Sequence, residues 1–216
     1  MWNPDDHARR VDDVFARAPV LPVLAIERID DAVPLARALV DAGLPVLEVT
    51  LRTDCAIGAI ARIARELPDA VVGAGTVLTP EDLIAVGEVG AAFAISPGAT
   101  EPLYAVAREA ALPWIPAVAT GSEVMVGLDH GHRRFKFFPA EAAGGVATLK
   151  GFAGPFPQVR FCPTGGIDAS RAPSYLALSN VATVGGSWMV PGDVLANRDW
   201  ARIGALAREA AALRPR

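Results

Sequence analysis

Arg133-Arg134-Phe135-Lys136-Phe137-Phe138-Pro139-Ala140-Glu141 sets a lysine inside an aromatic run that stops at a proline. Such a run reads as a buried strand, because aromatic and β-branched side chains suit a pleated, covered surface. Similar runs flank it at 114–118 and 159–163. Further out lie 92–96 and 182–185, and then 71–74, 46–50 and 20–26. Longer segments with helical spacing separate them. They open at Asp30 or Asp31, Thr79-Pro80-Glu81-Asp82, Thr100-Glu101-Pro102 and Asp168-Ala169-Ser170, and several close on glycine, at Gly43, Gly90 and Gly131. Proline at a first helical position, acids in the first turn and glycine past the last turn are helix boundary signals. Strands alternating with helices imply parallel strands joined by crossovers, with both sheet faces covered. About eight such units predict an α/β fold of the closed (β/α)8 TIM barrel type rather than an open doubly wound sheet. Residues 5–18 read as a helix ahead of the barrel. No linker divides the chain, so residues 1–216 are expected to form one domain in which 1–18 is an N-terminal addition.

Composition narrows the function classes. Hydrophobic residues make up 52% of the 216 positions and charged residues 20%, which marks an ordered globular chain. The net charge of −4 comes with no basic stripe interleaved with aromatics, so no nucleic-acid partner is expected. The longest uncharged stretch, 172–192, is broken by Pro173, Ser174, Ser179, Asn180 and the Gly185-Gly186 pair, so no membrane span is expected. Met1-Trp2-Asn3-Pro4-Asp5-Asp6 has neither the cationic region nor the apolar run of a secretory signal. Cys55 and Cys162 form neither a disulfide framework nor a metal-ligand spacing. A cytoplasmic setting with both thiols reduced is the expectation.

In such a barrel the active site forms at the carboxyl ends of the strands. Polar residues and glycines gather there: Glu48 and Arg52, Thr76, Ser96-Pro97-Gly98, Thr120 and Glu123, Lys136, Thr164-Gly165-Gly166, and Gly185-Gly186-Ser187. Side chains alternate across a strand, so Val46, Glu48 and Thr50 share one face, as do Arg134, Lys136 and Phe138. If both faces line the interior, Glu48 and Lys136 converge on one hollow.

Each residue has a chemical reading and a plainer one. Lys136 and Lys150 are the only lysines among 20 Lys and Arg residues. Apolar walls make a charged amine costly, and a neutral amine attacks ketones and aldehydes. The plainer reading is a strand-end lysine whose ammonium reaches back to water. Glu48 in an apolar interior favours the protonated carboxyl and could pass protons, or it forms a buried ion pair with Arg52. Arg52 can grip a planar carboxylate through two parallel bonds. The two glycine pairs on adjacent loops allow backbone N–H groups to approach a phosphate, helped by the positive end of a following helix. Asp129-His130-Gly131-His132 lies at the opposite face and reads as a helix end with exposed histidines rather than a metal site. Cys55 and Cys162 read as packing residues. Glu141 either supports the site or begins the next segment.

These stretches together resemble the 2-keto-3-deoxy-6-phosphogluconate aldolases, which also handle 4-hydroxy-2-oxoglutarate. The resemblance rests on Val46-Leu47-Glu48-Val49-Thr50-Leu51-Arg52-Thr53, Val72-Gly73-Ala74-Gly75-Thr76-Val77-Leu78 and Phe93-Ala94-Ile95-Ser96-Pro97-Gly98. It rests further on Phe135-Lys136-Phe137-Phe138-Pro139-Ala140-Glu141, Arg160-Phe161-Cys162-Pro163-Thr164-Gly165-Gly166-Ile167 and Gly185-Gly186-Ser187-Trp188, and spans 19–191. It implies a class I lyase in which Lys136 forms the Schiff base and Glu48 works as acid and base through water. It assigns Arg52, Thr76 and Thr164 to the pyruvyl carboxylate, Pro97 and Phe138 to the pocket wall, and Gly165, Gly166, Gly186 and Ser187 to the phosphate. The implied partners are a phosphorylated 2-keto-3-deoxy sugar acid and pyruvate, with no metal or other cofactor, in a homotrimer. The implied reaction yields pyruvate and glyceraldehyde 3-phosphate, with pyruvate and glyoxylate from the hydroxyoxoglutarate. The 2-keto-3-deoxy-6-phosphogalactonate reaction and a non-covalent phosphosugar-binding barrel are the alternatives. Two stretches depart from the family pattern: Ala117 to Glu123, and Glu27-Arg28 where a basic pair is expected.

Overall fold

The computed structural model describes residues 2–110 and 112–213. In chain order the elements are α1 (Pro4–Phe15), β1 (Val20–Leu24), α2 (Ala32–Val40), β2 (Val46–Thr50), α3 (Ala56–Glu66), β3 (Val71–Gly75), α4 (Pro80–Glu88), β4 (Ala94–Ile95) and α5 (Glu101–Ala107). There follow β5 (Trp114–Ile115), β6 (Ala117–Val118), α6 (Gly121–Asp129), β7 (Arg134–Phe137), α7 (Gly145–Ala153), β8 (Arg160–Pro163), α8 (Ala172–Leu176), β9 (Val184–Gly186), α9 (Gly192–Ala196) and α10 (Trp200–Ala211). The predicted alternation is present, and the strands within each sheet run parallel.

The strands form two curled sheets, in the orders β5-β4-β3-β2-β1-β9 and β6-β7-β8. The run 114–118 was expected to be one strand, but Pro116 divides it. Proline has no N–H for the ladder, so β5 pairs with β4 while β6 pairs with β7. At the other side the bridges Phe161↔Val181 and Thr164↔Gly185 link the two sheets. The run at 92–96 shrinks to two strand residues, and the last strand begins two residues later than expected.

Helix boundaries follow local chemistry. Thr79 and Asp82 form a reciprocal capping box at α4, and Gly43, Gly90 and Gly131 close their segments in the left-handed region at φ 94, 88 and 86. At Asp30 and Asp31 a single 3-10 turn comes first and α2 follows. Asp168 accepts from the N–H groups of Ser170 and Arg171, which forms a turn ahead of α8 rather than its cap.

Two apolar layers position the site. Leu47, Val49, Val72, Ala74, Phe135, Phe137 and Phe161 face outward, in one cluster with Leu35, Leu39, Ile60 and Ile63 of the surrounding helices. Leu21, Val46, Phe93, Ile95, Ile115 and Cys162 face inward and meet Val11, Val14 and Phe15 of α1. The N-terminal helix therefore seals the amino end of the strands. Arg134, at the start of β7, holds it there through two bonds to Asp12, at 2.5 and 2.7 Å.

Candidate active site

Glu48 is the central residue of β2 and Lys136 the third residue of β7. Both point into the interior, as strand alternation requires, and Lys136 Nζ lies 2.8 Å from Glu48 Oε1. Both are buried, at 6% and 1% exposure. Desolvation offsets much of the attraction within a pair this dry, so it is weak evidence for stability and marks a candidate functional site. Glu48 Oε2 has no hydrogen-bond partner, which leaves it an acceptor turned into the interior. The ion pair with Arg52 considered for Glu48 does not form. Arg52 is exposed, and its Nε donates to Thr50 Oγ1 at 3.1 Å.

Strand alternation decides which of the neighbouring phenylalanines can reach Lys136. Phe135 and Phe137 lie on the opposite face of β7 and pack outward against Phe161 and Phe152. Phe138 alone of the three reaches the amine, with its ring centroid 5.4 Å from Nζ. On the interior side the register partners of Lys136 are Ala117 and Cys162. Burial pushes the Cys162 thiol up to about 12, so it stays a protonated packing group beside the lysine.

The other residues singled out from the sequence are spread around the carboxyl ends of the strands. Thr76 follows β3 with its backbone in the left-handed region at φ 59, a strained conformation for a β-branched residue. Thr164 follows β8 and is buried, in line with Cys162 on the face that carries Lys136. Its side chain occupies the space that a Cβ on Gly185 would need. Pro97 follows β4 and is exposed, behind a short bond from Ser96 Oγ to Gly98 O. Arg52 and Ser187 line one cavity of about 380 Å³, which also takes in Glu27, Arg28 and Asp31. Lys136, Glu48 and the Gly165-Gly166 pair do not line that cavity.

Gly165 and Gly166 have φ of 107 and 76, and Gly186 is small because the Trp188 ring lies against it. Neither glycine pair opens onto a helix. α8 begins only at Ala172 and α9 at Gly192, both short, so the expected helix-end contribution is absent and any anion would be held by loop amides. Thr120 and Glu123 form the capping box of α6. Glu141 supports the Gly165-Gly166 loop, a role the sequence left open: its N–H donates to Gly165 O, and its carboxylate meets Tyr175 and Arg171.

At the opposite end, His132 is fully buried instead of exposed, packed among Trp2, His7, Tyr104 and Trp114. Aromatic rings on α1 and α5 cover it, and no local pattern signals that. Among the described residues no group of three or more His, Cys, Asp and Glu side chains is placed to hold a metal ion.

The family model "KDPG and KHG aldolase" matches residues 11–206. The chain belongs to the KDPG and KHG aldolase family. Among its relatives is the KHG/KDPG aldolase of Escherichia coli K12, 56% identical over 92% of this chain and 93% of that protein. A crystal structure of KDPG aldolase from Legionella pneumophila, with pyruvate captured as a covalent carbinolamine intermediate, superposes with a TM-score of 0.92. It is 49% identical and covers 93% of this chain and 98% of that one. The 2-keto-3-deoxy-6-phosphogluconate aldolase of Zymomonas mobilis ZM4 with 3-phosphoglycerate gives 0.91 at 52% identity, covering 96% and 97%. Members of this family are class I aldolases, hence lyases.

Proposed function

We propose that this chain cleaves 2-keto-3-deoxy-6-phosphogluconate reversibly to pyruvate and glyceraldehyde 3-phosphate, and 4-hydroxy-2-oxoglutarate to pyruvate and glyoxylate. The observation that carries the reading is the 2.8 Å contact between Lys136 Nζ and Glu48 Oε1 in the interior. Glu48 takes a proton from the ammonium, and the free amine adds to the C2 ketone. Protonation and loss of water from the carbinolamine give an iminium. Glu48, through water, then takes the C4 hydroxyl proton as the C3–C4 bond breaks. The bonding pair moves toward the iminium nitrogen, the aldehyde leaves, and the enamine remains on Lys136. Protonation at C3 and hydrolysis release pyruvate and restore the amine.

The other residues orient the substrate. Arg52, Thr76 and Thr164 bind the pyruvyl carboxylate, which holds the ketone against Lys136 and converts binding into rate. Pro97 and Phe138 form the pocket wall. Gly165, Gly166, Gly186 and Ser187 bind the phosphate through backbone N–H groups and one hydroxyl. The reaction needs no metal, since the iminium is the electron sink. The same reading takes the two sheets as one closed (β/α)8 barrel in a single domain, with the bridges at Phe161 and Thr164 as its support. It also takes the protein as a cytoplasmic homotrimer, for which sedimentation velocity is the measurement.

Borohydride added with pyruvate tests the covalent step. A stable adduct at Lys136 in peptide mass spectra is expected, and Lys136→Ala should lose both adduct and turnover. Active protein that yields no adduct would sink the Schiff-base reading.

A further inference from the structure

Three consecutive carbonyls of the glycine loop are tied down. Thr164 O accepts from Ala140 N at 2.8 Å and Gly165 O from Glu141 N at 3.1 Å. Gly166 O accepts from Arg171 Nη1, also at 3.1 Å. A trans peptide is planar, with its C=O and N–H on opposite sides. Each tie therefore turns the next residue's N–H the other way, and the amides of Gly165, Gly166 and Ile167 are aimed by partners behind the loop.

Glu141 is the hub of this arrangement. Its N–H holds Gly165 O, and its side chain fills the space under Gly166, where a Cβ would come within 2.8 Å of Glu141 Cγ. Oε1 accepts from Tyr175 OH, and Oε2 pairs with Arg171 Nε at 3.3 Å. Arg171 is anchored a third time by Asp168 Oδ2 at 3.0 Å. Burial, and then the bond to Glu141, push the Tyr175 phenol well above its ordinary range, so it remains a donor.

We infer that Glu141, Tyr175 and Arg171 are positioning residues that aim the 165–167 amides at the substrate phosphate, and so set the preference for a phosphorylated sugar acid over the same acid without phosphate. The phosphate as ligand rests on the proposed aldolase reading, whereas the aim of the amides rests on the geometry. A brace that only fastened α8 would lower stability and leave substrate preference alone.

The test uses the full chain with Glu141→Gln, Arg171→Lys and Tyr175→Phe. Cleavage of 2-keto-3-deoxy-6-phosphogluconate is compared with that of 2-keto-3-deoxygluconate, and inorganic phosphate binding is measured by titration calorimetry. Loss of charge-assisted bonds predicts a KM for the phosphorylated substrate raised about tenfold in Glu141→Gln and Arg171→Lys, and about threefold in Tyr175→Phe. The phosphorylated kcat and the kcat/KM for the unphosphorylated acid should stay within about twofold of the parent, with the phosphate Kd rising in the same order as KM. Recovery of normal KM by lysine at 171 would mean attraction by a distant cation and overturn the proposal. So would equal shifts for both substrates, or a phosphate Kd unmoved in the variants or unmeasurable in the parent. A parent that binds phosphate, with binding weakened by Tyr175→Phe, yet cleaves neither acid, upholds the positioning and refutes the aldolase reading instead.

Discussion

Gly75 lies directly against the carboxyl of Glu48. A Cβ built on Gly75 would overlap Glu48 Oε1, the oxygen that meets Lys136, and would come 2.6 Å from Cγ. β3 therefore leaves a glycine-sized gap for the acid on β2. Gly75→Ala should push the carboxyl off the amine. A kcat loss of about 10²-fold or more is expected, with a stability cost of about 1–3 kcal/mol from overpacking. Steady-state kinetics alongside urea unfolding separate the two. Full activity in a folded Gly75→Ala protein would show that the position of Glu48 does not matter.

Glu48→Gln keeps the volume and removes the proton acceptor. Turnover should fall by about 10²–10⁴-fold, the usual worth of a general acid–base group. Borohydride trapping with pyruvate should slow as well, since carbinolamine breakdown needs the same group. Unchanged trapping with lost turnover would confine Glu48 to the carbon–carbon step.

Phe15 on α1 is 2% exposed and belongs to the cluster that α1 shares with the inner faces of the strands. Phe15→Ala should cost about 3–5 kcal/mol. Denaturant midpoints give the number, and a loss below about 1 kcal/mol would show that α1 does not seal the strands.

His7 and His132 predict acid sensitivity. Burial lowers His7 to about 4, with the Trp114 carbonyl opposing and Arg10 and Arg134 adding to the fall. His132 is lowered to about 3, by burial first and then by His7, His130 and Arg108. In the unfolded chain both rings titrate near the ordinary imidazole value of 6.5. Below that pH the unfolded chain takes up protons that the folded chain refuses. Stability is whole above 6.5 and falls by about 1.4 kcal/mol per pH unit for each ring as acid is added, until the folded ring itself protonates. Urea unfolding from pH 7 to 4.5 measures the slope. His132→Leu should remove roughly half of the histidine part, since one of two rings is deleted.

The alternation of strands and helices, the glycine closures and the sharing of one face by Arg134, Lys136 and Phe138 were all readable from the chain. Each depends on the geometry of neighbouring residues. The motifs around Glu48 and Lys136 likewise carried the family, because a run of residues needs no fold to be recognised. Other features arise between segments far apart. Glu48 and Lys136 are separated by 88 positions, and only parallel registers through intervening strands bring their side chains to 2.8 Å. The outward packing of Phe135 and Phe137, the burial of His132 under α1 and the hold of Glu141 on the glycine loop are of the same kind. Local preference says which way a side chain points; what it meets there is decided by the packing of the whole chain, where long-range contacts outweigh the weak signals of single residues.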